Sequence, residues 1–232
     1  THSISFNRCN FKCKFCEFHF RDQQYYREYD KEEFEDMVDM LIQRGKNFKF
    51  TGGESTLNPN LLRDLEIVRK FGGKIYLDTN GSNPSVVKKA LEKKLVDVVG
   101  ISMKGVSPIE ALEKSGVQKS ILCWDNVLET IKICSEDSNV KVIVTYVCYN
   151  DVKKETLFDF AKILSKFDNV YLKLNNLIGD KHHSSEEMKP VSVSFMKSFA
   201  NELIEKYPEW KDRVILILGK DAISDYKSIN FQ

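Results

Sequence analysis

Cys9-Asn10-Phe11-Lys12-Cys13-Lys14-Phe15-Cys16 packs three thiols into eight positions, directly behind Ser3 to Phe6, a segment that alternates enough to form a strand. That strand delivers Cys9 at its carboxyl end, where α/β folds carry their active-site loops. A structural zinc ion takes four ligands, commonly from two paired half-sites, whereas three cysteines can hold an iron-sulfur cube and leave one iron open. Further on, Phe48-Lys49-Phe50-Thr51-Gly52-Gly53-Glu54 reads as a strand running into a glycine pair and a carboxylate. Such a turn, bare of side chains, can approach a polar ligand closely.

Outward from these two stretches the chain alternates. Asp30 is a candidate N-cap with Glu33 three residues later, and Phe34, Met37, Val38, Leu41 and Ile42 recur at helical spacing up to Gly45. Asn47 to Thr51 is a strand, Asn60 to Phe71 a helix closed by Gly72-Gly73, and Lys74 to Leu77 a strand that ends at Asp78-Thr79-Asn80-Gly81. Pro84 opens the next helix. Val96 to Ile101 is a β-branched run expected to be buried on both faces. Helices over 108–114 and 124–135, a strand over 140–147, a helix over 154–167, a strand over 170–174, a helix over 193–207 and the apolar run 214–218 complete the pattern. Strands and helices that alternate in this way build parallel βα units. The expected architecture is an α/β fold, an incomplete parallel (β/α)6 barrel with its chemistry at the carboxyl ends of the strands, in one domain spanning residues 1–232.

Composition limits the partners. Lys and Arg number 35 against 34 Asp and Glu, so no global field points to nucleic acid or to an anionic membrane. No run of eighteen apolar residues and no charged-then-apolar leader is present, so a cytoplasmic protein is expected. Six cysteines could be read as a disulfide set, but the close trio, with Cys123, Cys134 and Cys148 scattered, does not form such a framework and points to a reducing compartment.

The spacing C-x3-C-x2-C, Phe15 just before the last cysteine, and Gly52-Gly53-Glu54 at the end of a later strand together resemble the radical S-adenosylmethionine (SAM) superfamily. The resemblance implies that Cys9, Cys13 and Cys16 hold a 4Fe-4S cluster whose open iron is chelated by the amino and carboxylate groups of SAM. It implies reductive cleavage of SAM to methionine and a 5'-deoxyadenosyl radical, with reduced flavodoxin or ferredoxin as electron donor and an anaerobic setting. Gly52 and Gly53 are then expected to bind the SAM ammonium through backbone carbonyls, supported by Glu54. Asp78-Thr79-Asn80-Gly81 is similar to a motif of glycyl-radical-enzyme activases, in which the Asp and Thr help build a monovalent cation site beside the SAM carboxylate. Those activases carry Asp-x-Lys at the next strand end. Here Ser102-Met103-Lys104 stands in that place, which keeps the ammonium and replaces the second carboxylate with a hydroxyl. Phe15, Asn80, Ser102, Lys104 and Asn175 complete the expected SAM surroundings, with Lys104 also expected at the reacting centre.

The resemblance most favours an activase that installs a glycyl radical on a partner enzyme. Modification of a peptide, nucleotide or other small metabolite is the alternative, and a non-catalytic metal or iron-sulfur protein, with a zinc ion completed by His19, is a reading of another class. A pocket lined with basic and amide side chains would favour a nucleotide, and an open groove a protein loop. Tyr146, Asn175 and Asn176 lie near strand ends from which ligand side chains would reach a barrel lumen, although an amide there can equally cap a turn. His182-His183 sits in a polar stretch that reads as solvated loop, residues 17–30 read as loop, and Cys123, Cys134 and Cys148 read as small buried hydrophobes.

Overall fold

Side-chain alternation along the strands sorts this chain into an apolar outer layer and a polar inner one. The computed structural model describes residues 1–13, 15–16, 27–117, 124–149, 152–177 and 188–218. In chain order these form β1 (His2–Phe6), α1 (Lys31–Ile42), β2 (Asn47–Gly52), α2 (Leu61–Lys70), β3 (Lys74–Thr79), α3 (Pro84–Glu92), β4 (Val98–Ser102), α4 (Pro108–Ser115), α5 (Trp124–Ser135), β5 (Lys141–Cys148), α6 (Lys154–Leu164), β6 (Val170–Asn176), α7 (Val193–Lys206) and β7 (Val214–Ile217). Short 3-10 turns at Ser55–Leu57 and Pro208–Trp210 are the elements that the periodicity does not announce.

All neighbouring strands are parallel and lie in sequence order from β1 to β7, leaving those two at the edges. The incomplete barrel is therefore as expected, with β7 as a seventh strand beyond the six repeats. Successive residues of a strand face opposite sides of the sheet. Phe48, Phe50, Ile75, Leu77, Val142, Val144, Leu172 and Leu174 are buried in one continuous core with helix residues such as Leu65, Val87, Ile131 and Phe160. The residues out of step with them, Lys49, Thr51, Asp78, Gly100, Ser102, Thr145, Lys173 and Asn175, face a cavity on the other side.

Local signals place the helices that fix this layering. Asp30 and Glu33 form a complete capping box on α1, with Glu33 N–H donating to Asp30 Oδ1 at 2.9 Å. Ser107 caps α4, Pro108 occupies its first turn, and Gly116 ends it with a left-handed φ of 63°. Among the described residues, no helix is long and apolar enough to cross a membrane.

Candidate active site

The cysteine loop leaves β1 and is held from two sides. Toward the barrel, Gly53 N–H donates to Phe6 O at 2.8 Å and Glu54 N–H to Arg8 O at 2.7 Å. A Cβ on Gly53 would lie 2.0 Å from Arg8 O, so glycine is what lets the two backbones meet. On the opposite side, Lys12 N–H donates to Ser115 O at 2.8 Å, and a Cβ on Gly116 would lie 2.4 Å from Lys12 O. Phe11, 1% exposed, packs with Cys13 and Ala111 beneath the loop. The fold thus positions the thiols through backbone contacts within the chain itself.

Cys9, Cys13 and Cys16 line one cavity of about 230 Å³ at the carboxyl ends of the strands. Of the cluster and SAM residues expected from the sequence, only Glu54 does not line it: Phe15, Gly52, Gly53, Asp78, Thr79, Asn80, Ser102, Lys104 and Asn175 are all brought together there. Lys104 Nζ donates to Ser102 Oγ at 2.6 Å and lies 5.5 Å from the Phe15 ring centroid. Burial pushes the Cys9 thiol up to about 11, against the Phe11 N–H bond to its sulfur and the attraction of Lys104. The Cys13 thiol is raised by burial too, with Lys104 again opposing. Thiolates are the ligating form, so metal loading at such thiols displaces protons.

Glu54 is buried under the turn instead. Its Oε1 accepts from Thr56 N–H at 3.0 Å, Thr56 Oγ1 at 2.6 Å and Thr79 Oγ1 at 2.7 Å, and its Oε2 from Asn80 N–H at 2.6 Å. Burial raises this carboxyl and the four donors oppose the rise. Asn80 Nδ2 in turn donates to Asn10 Oδ1 at 2.8 Å, and Asn10 Nδ2 to Ser82 Oγ at 3.0 Å. One carboxylate and two amides therefore knit the end of β2, the end of β3 and the cysteine loop together.

A family model described as the radical SAM superfamily matches residues 3–164, more than two thirds of the chain. The chain belongs to the radical SAM superfamily. It is a radical SAM enzyme, and the cofactors of that class are a 4Fe-4S cluster and SAM. A Thermoplasma volcanium protein named as a GTP 3',8-cyclase is 29% identical over 161 residues, 68% of this chain and 48% of that relative. A Methanocaldococcus jannaschii protein named as a glycyl-radical-enzyme activating enzyme is 24% identical over 225 residues, 90% of this chain and 83% of the relative. The chain thus spans about half the length of the first of these. Streptococcus suis SuiB, solved bound to SAM, superposes over 100% of this chain and 53% of its own with a TM-score of 0.71 at 17% identity, a likeness of fold.

The radical SAM cofactors fit the donor set. Three soft thiol donors, a glycine turn with φ of 104° at Gly52, and a hydroxyl-ammonium pair share one cavity wall. His19, His182, His183 and Cys123 lie outside the described residues, as does most of the 17–30 loop.

Three of the residues singled out in the sequence lie off the cavity wall. Tyr146 does not reach the lumen: Thr145 faces the cavity, so the next residue turns to the helix layer, where the Tyr146 ring packs tilted, 5.4 Å between centroids, against Phe160 and its hydroxyl donates to Glu110 Oε1. Asn176 is a cap, with Nδ2 donating to Val191 O at 2.9 Å and Oδ1 accepting from Val191 N–H at 2.9 Å. Glu54 is a strut whose oxygens are turned away from the cavity. Cys134 and Cys148 are fully buried, as expected of small hydrophobes. Missed in the sequence were Lys49, Thr51, Gly100, Thr145 and Lys173, all cavity-lining. Strict alternation carried backward from Gly53, Ser102 and Asn175 would have found Thr51, Lys49, Gly100 and Lys173.

Proposed function

We propose that the enzyme reductively cleaves SAM and directs the 5'-deoxyadenosyl radical at a C–H bond of a substrate held inside the barrel. The convergence of the three thiols, Gly52-Gly53 and Ser102-Lys104 on one cavity supports this reading more than any single residue does. Cys9, Cys13 and Cys16 would hold the cluster, which when bound supplies the electron for cleavage. Gly52 and Gly53 offer carbonyls to the SAM ammonium, and Lys104, aimed by Ser102 and by the face of Phe15, offers its charge to the SAM carboxylate. Asn80 and Thr79 shape the wall between them, and the packed Phe11 excludes water from beneath the loop.

Asp78 bears on the monovalent cation. Its Oδ2 accepts from Lys49 Nζ at 2.8 Å and Thr51 Oγ1 at 2.9 Å. On this reading Asp78 is engaged by Lys49 and Thr51 and not by a metal cation, and Ser102 offers no second carboxylate.

For the substrate, the lysines and the amide in the cavity wall favour a small metabolite or nucleotide, in keeping with the named activity of the Thermoplasma relative. Installation of a glycyl radical is the second reading, favoured by the Methanocaldococcus relative, which aligns over 90% of the chain. Anaerobic turnover with reduced flavodoxin as donor, read as 5'-deoxyadenosine, tests the core proposal. Product is expected with the wild type, unchanged when tetramethylammonium replaces sodium and potassium, and absent with Cys13→Ala. A cluster that forms without cleaving SAM would sink it. An organic radical appearing on a co-incubated partner enzyme, seen by electron paramagnetic resonance, would decide for the glycyl-radical reading.

A further inference from the structure

Two ammoniums in the cavity have no carboxylate of their own, and they sit in different neighbourhoods. Lys104 lies by the thiols, where its charge acts on Cys9 and Cys13. Lys173 lies on β6 beside Lys49 and Asp78 and, among the described residues, makes no hydrogen bond or ion pair. Asp78 cannot neutralise it alone, because Lys49 Nζ already holds Asp78 Oδ2 at 2.8 Å. An unpaired ammonium out of bulk water is costly, and burial together with the repulsion of Lys49 lowers the pKa of Lys173. Two residues along the same face of β6, the buried Asn175 Oδ1 also lacks a partner. Of the two buried side-chain atoms in this condition among the described residues, Ser55 Oγ and Asn175 Oδ1, it is the one on the cavity wall.

A strand rises about 3.3 Å per residue, so Lys49 and Lys173 sit roughly 7 Å deeper in the barrel than Thr51 and Asn175. One SAM brings one carboxylate, and Lys104 at the rim accounts for it. The charge on the floor is left over. We infer that the floor built by Lys49, Lys173 and Asn175 is the substrate subsite, and that it takes a small molecule bearing a compact oxyanion, carboxylate or phosphate, and a hydroxyl or N–H donor. Lys173 Nζ and the remaining N–H bonds of Lys49 grip the oxyanion, while Asn175 Oδ1 accepts from the donor. Gly100 keeps the floor open to them: a Cβ there would lie 2.4 Å from Tyr76 Oη and 2.5 Å from Asp78 Oδ1.

This assignment rests on the radical SAM reading, and binding separates the two. Anaerobic cluster-loaded protein is titrated calorimetrically with malonate and with inorganic phosphate, each with and without SAM, and SAM cleavage is assayed in parallel. At least one probe is expected to bind alongside SAM, with Lys173→Met weakening it about tenfold or more and Lys173→Arg retaining most of the affinity. Tighter malonate binding assigns a carboxylate, and tighter phosphate binding a phosphoryl group. The inference is overturned if neither probe binds, if Lys173→Met binds like the wild type, or if SAM displaces both probes, since the floor would then serve the SAM carboxylate. SAM cleavage without probe binding leaves the radical reading standing alone. Probe binding without cleavage removes the substrate role together with that reading. Should Lys173→Met fail to fold, protection of wild-type Lys173 from reductive methylation by malonate or phosphate, read by mass spectrometry, makes the same decision.

Discussion

The two halves of the barrel treat their polar side chains in opposite ways. At the ends of β2 and β3, the carboxylates and the amide have chain partners: Glu54 takes four donors, Asn80 bonds Asn10, and Asp78 bonds Lys49 and Thr51. On β6, Lys173 is unpaired among the described residues and Asn175 Oδ1 is unsatisfied. Buried polar groups are normally satisfied, and one left open in a cavity marks where something else is meant to bind. The first half is scaffold set hard by its own bonds, and the second is receptor surface whose bonds are still to be made.

Three substitutions would break or sharpen that contrast. The largest effect is expected from Gly53→Ala, because its methyl group meets the Arg8 carbonyl at 2.0 Å and something in the backbone must move. A loss of about 2–4 kcal/mol in denaturant unfolding, with loss of cluster loading, is expected. Wild-type stability in this variant would show that the loop is not held by this contact. Next comes Glu54→Gln, which points an amide NH₂ at groups that are themselves donors and should cost about 1–3 kcal/mol. An unchanged urea midpoint would mean that the hub is redundant. The smallest effect is expected from Tyr146→Phe, outside the lumen. There Glu110 and Lys114 pair at 2.7 Å. Burial opposes the charge of Glu110, but bonds from Lys114, Tyr146 and the Val106 amide outweigh it and hold the carboxyl below the usual range. A folded pKa below the unfolded one gives stability that is present above about pH 4.3 and is lost as pH falls through the folded value. Removing the phenol should cost about 1 kcal/mol at neutral pH and flatten the acid limb of the stability profile. An acid limb as steep as in the wild type would argue against this coupling.

Much of the fold was legible because its signals are local: Asp30 with Glu33, Pro84, Pro108 and the alternating strands announce their own elements. The thiols and Gly52-Gly53 were legible for a similar reason, since the chemistry sits in short contiguous motifs. Lys49 and Lys173 were not. A lysine in a strand reads as a solvated face, and only the closing of the sheet turns that face inward to a cavity. Tyr146 failed in the other direction: its position near a strand end was right, and a one-residue step in register decided the side. Glu54 was found for its place beside the glycines, but two of its partners, Thr79 and Asn80, are some twenty-five residues away at the end of another strand.

The amide pair Asn10–Asn80 joins segments seventy residues apart in the chain. Together with Glu54 it means that the conformational entropy of the thiol loop is lost when the barrel folds and not when the cofactors arrive. Affinity for the cofactors is correspondingly spared that cost. A chain that must rebuild its metal centre after oxidative damage would begin each repair from a mould already cast.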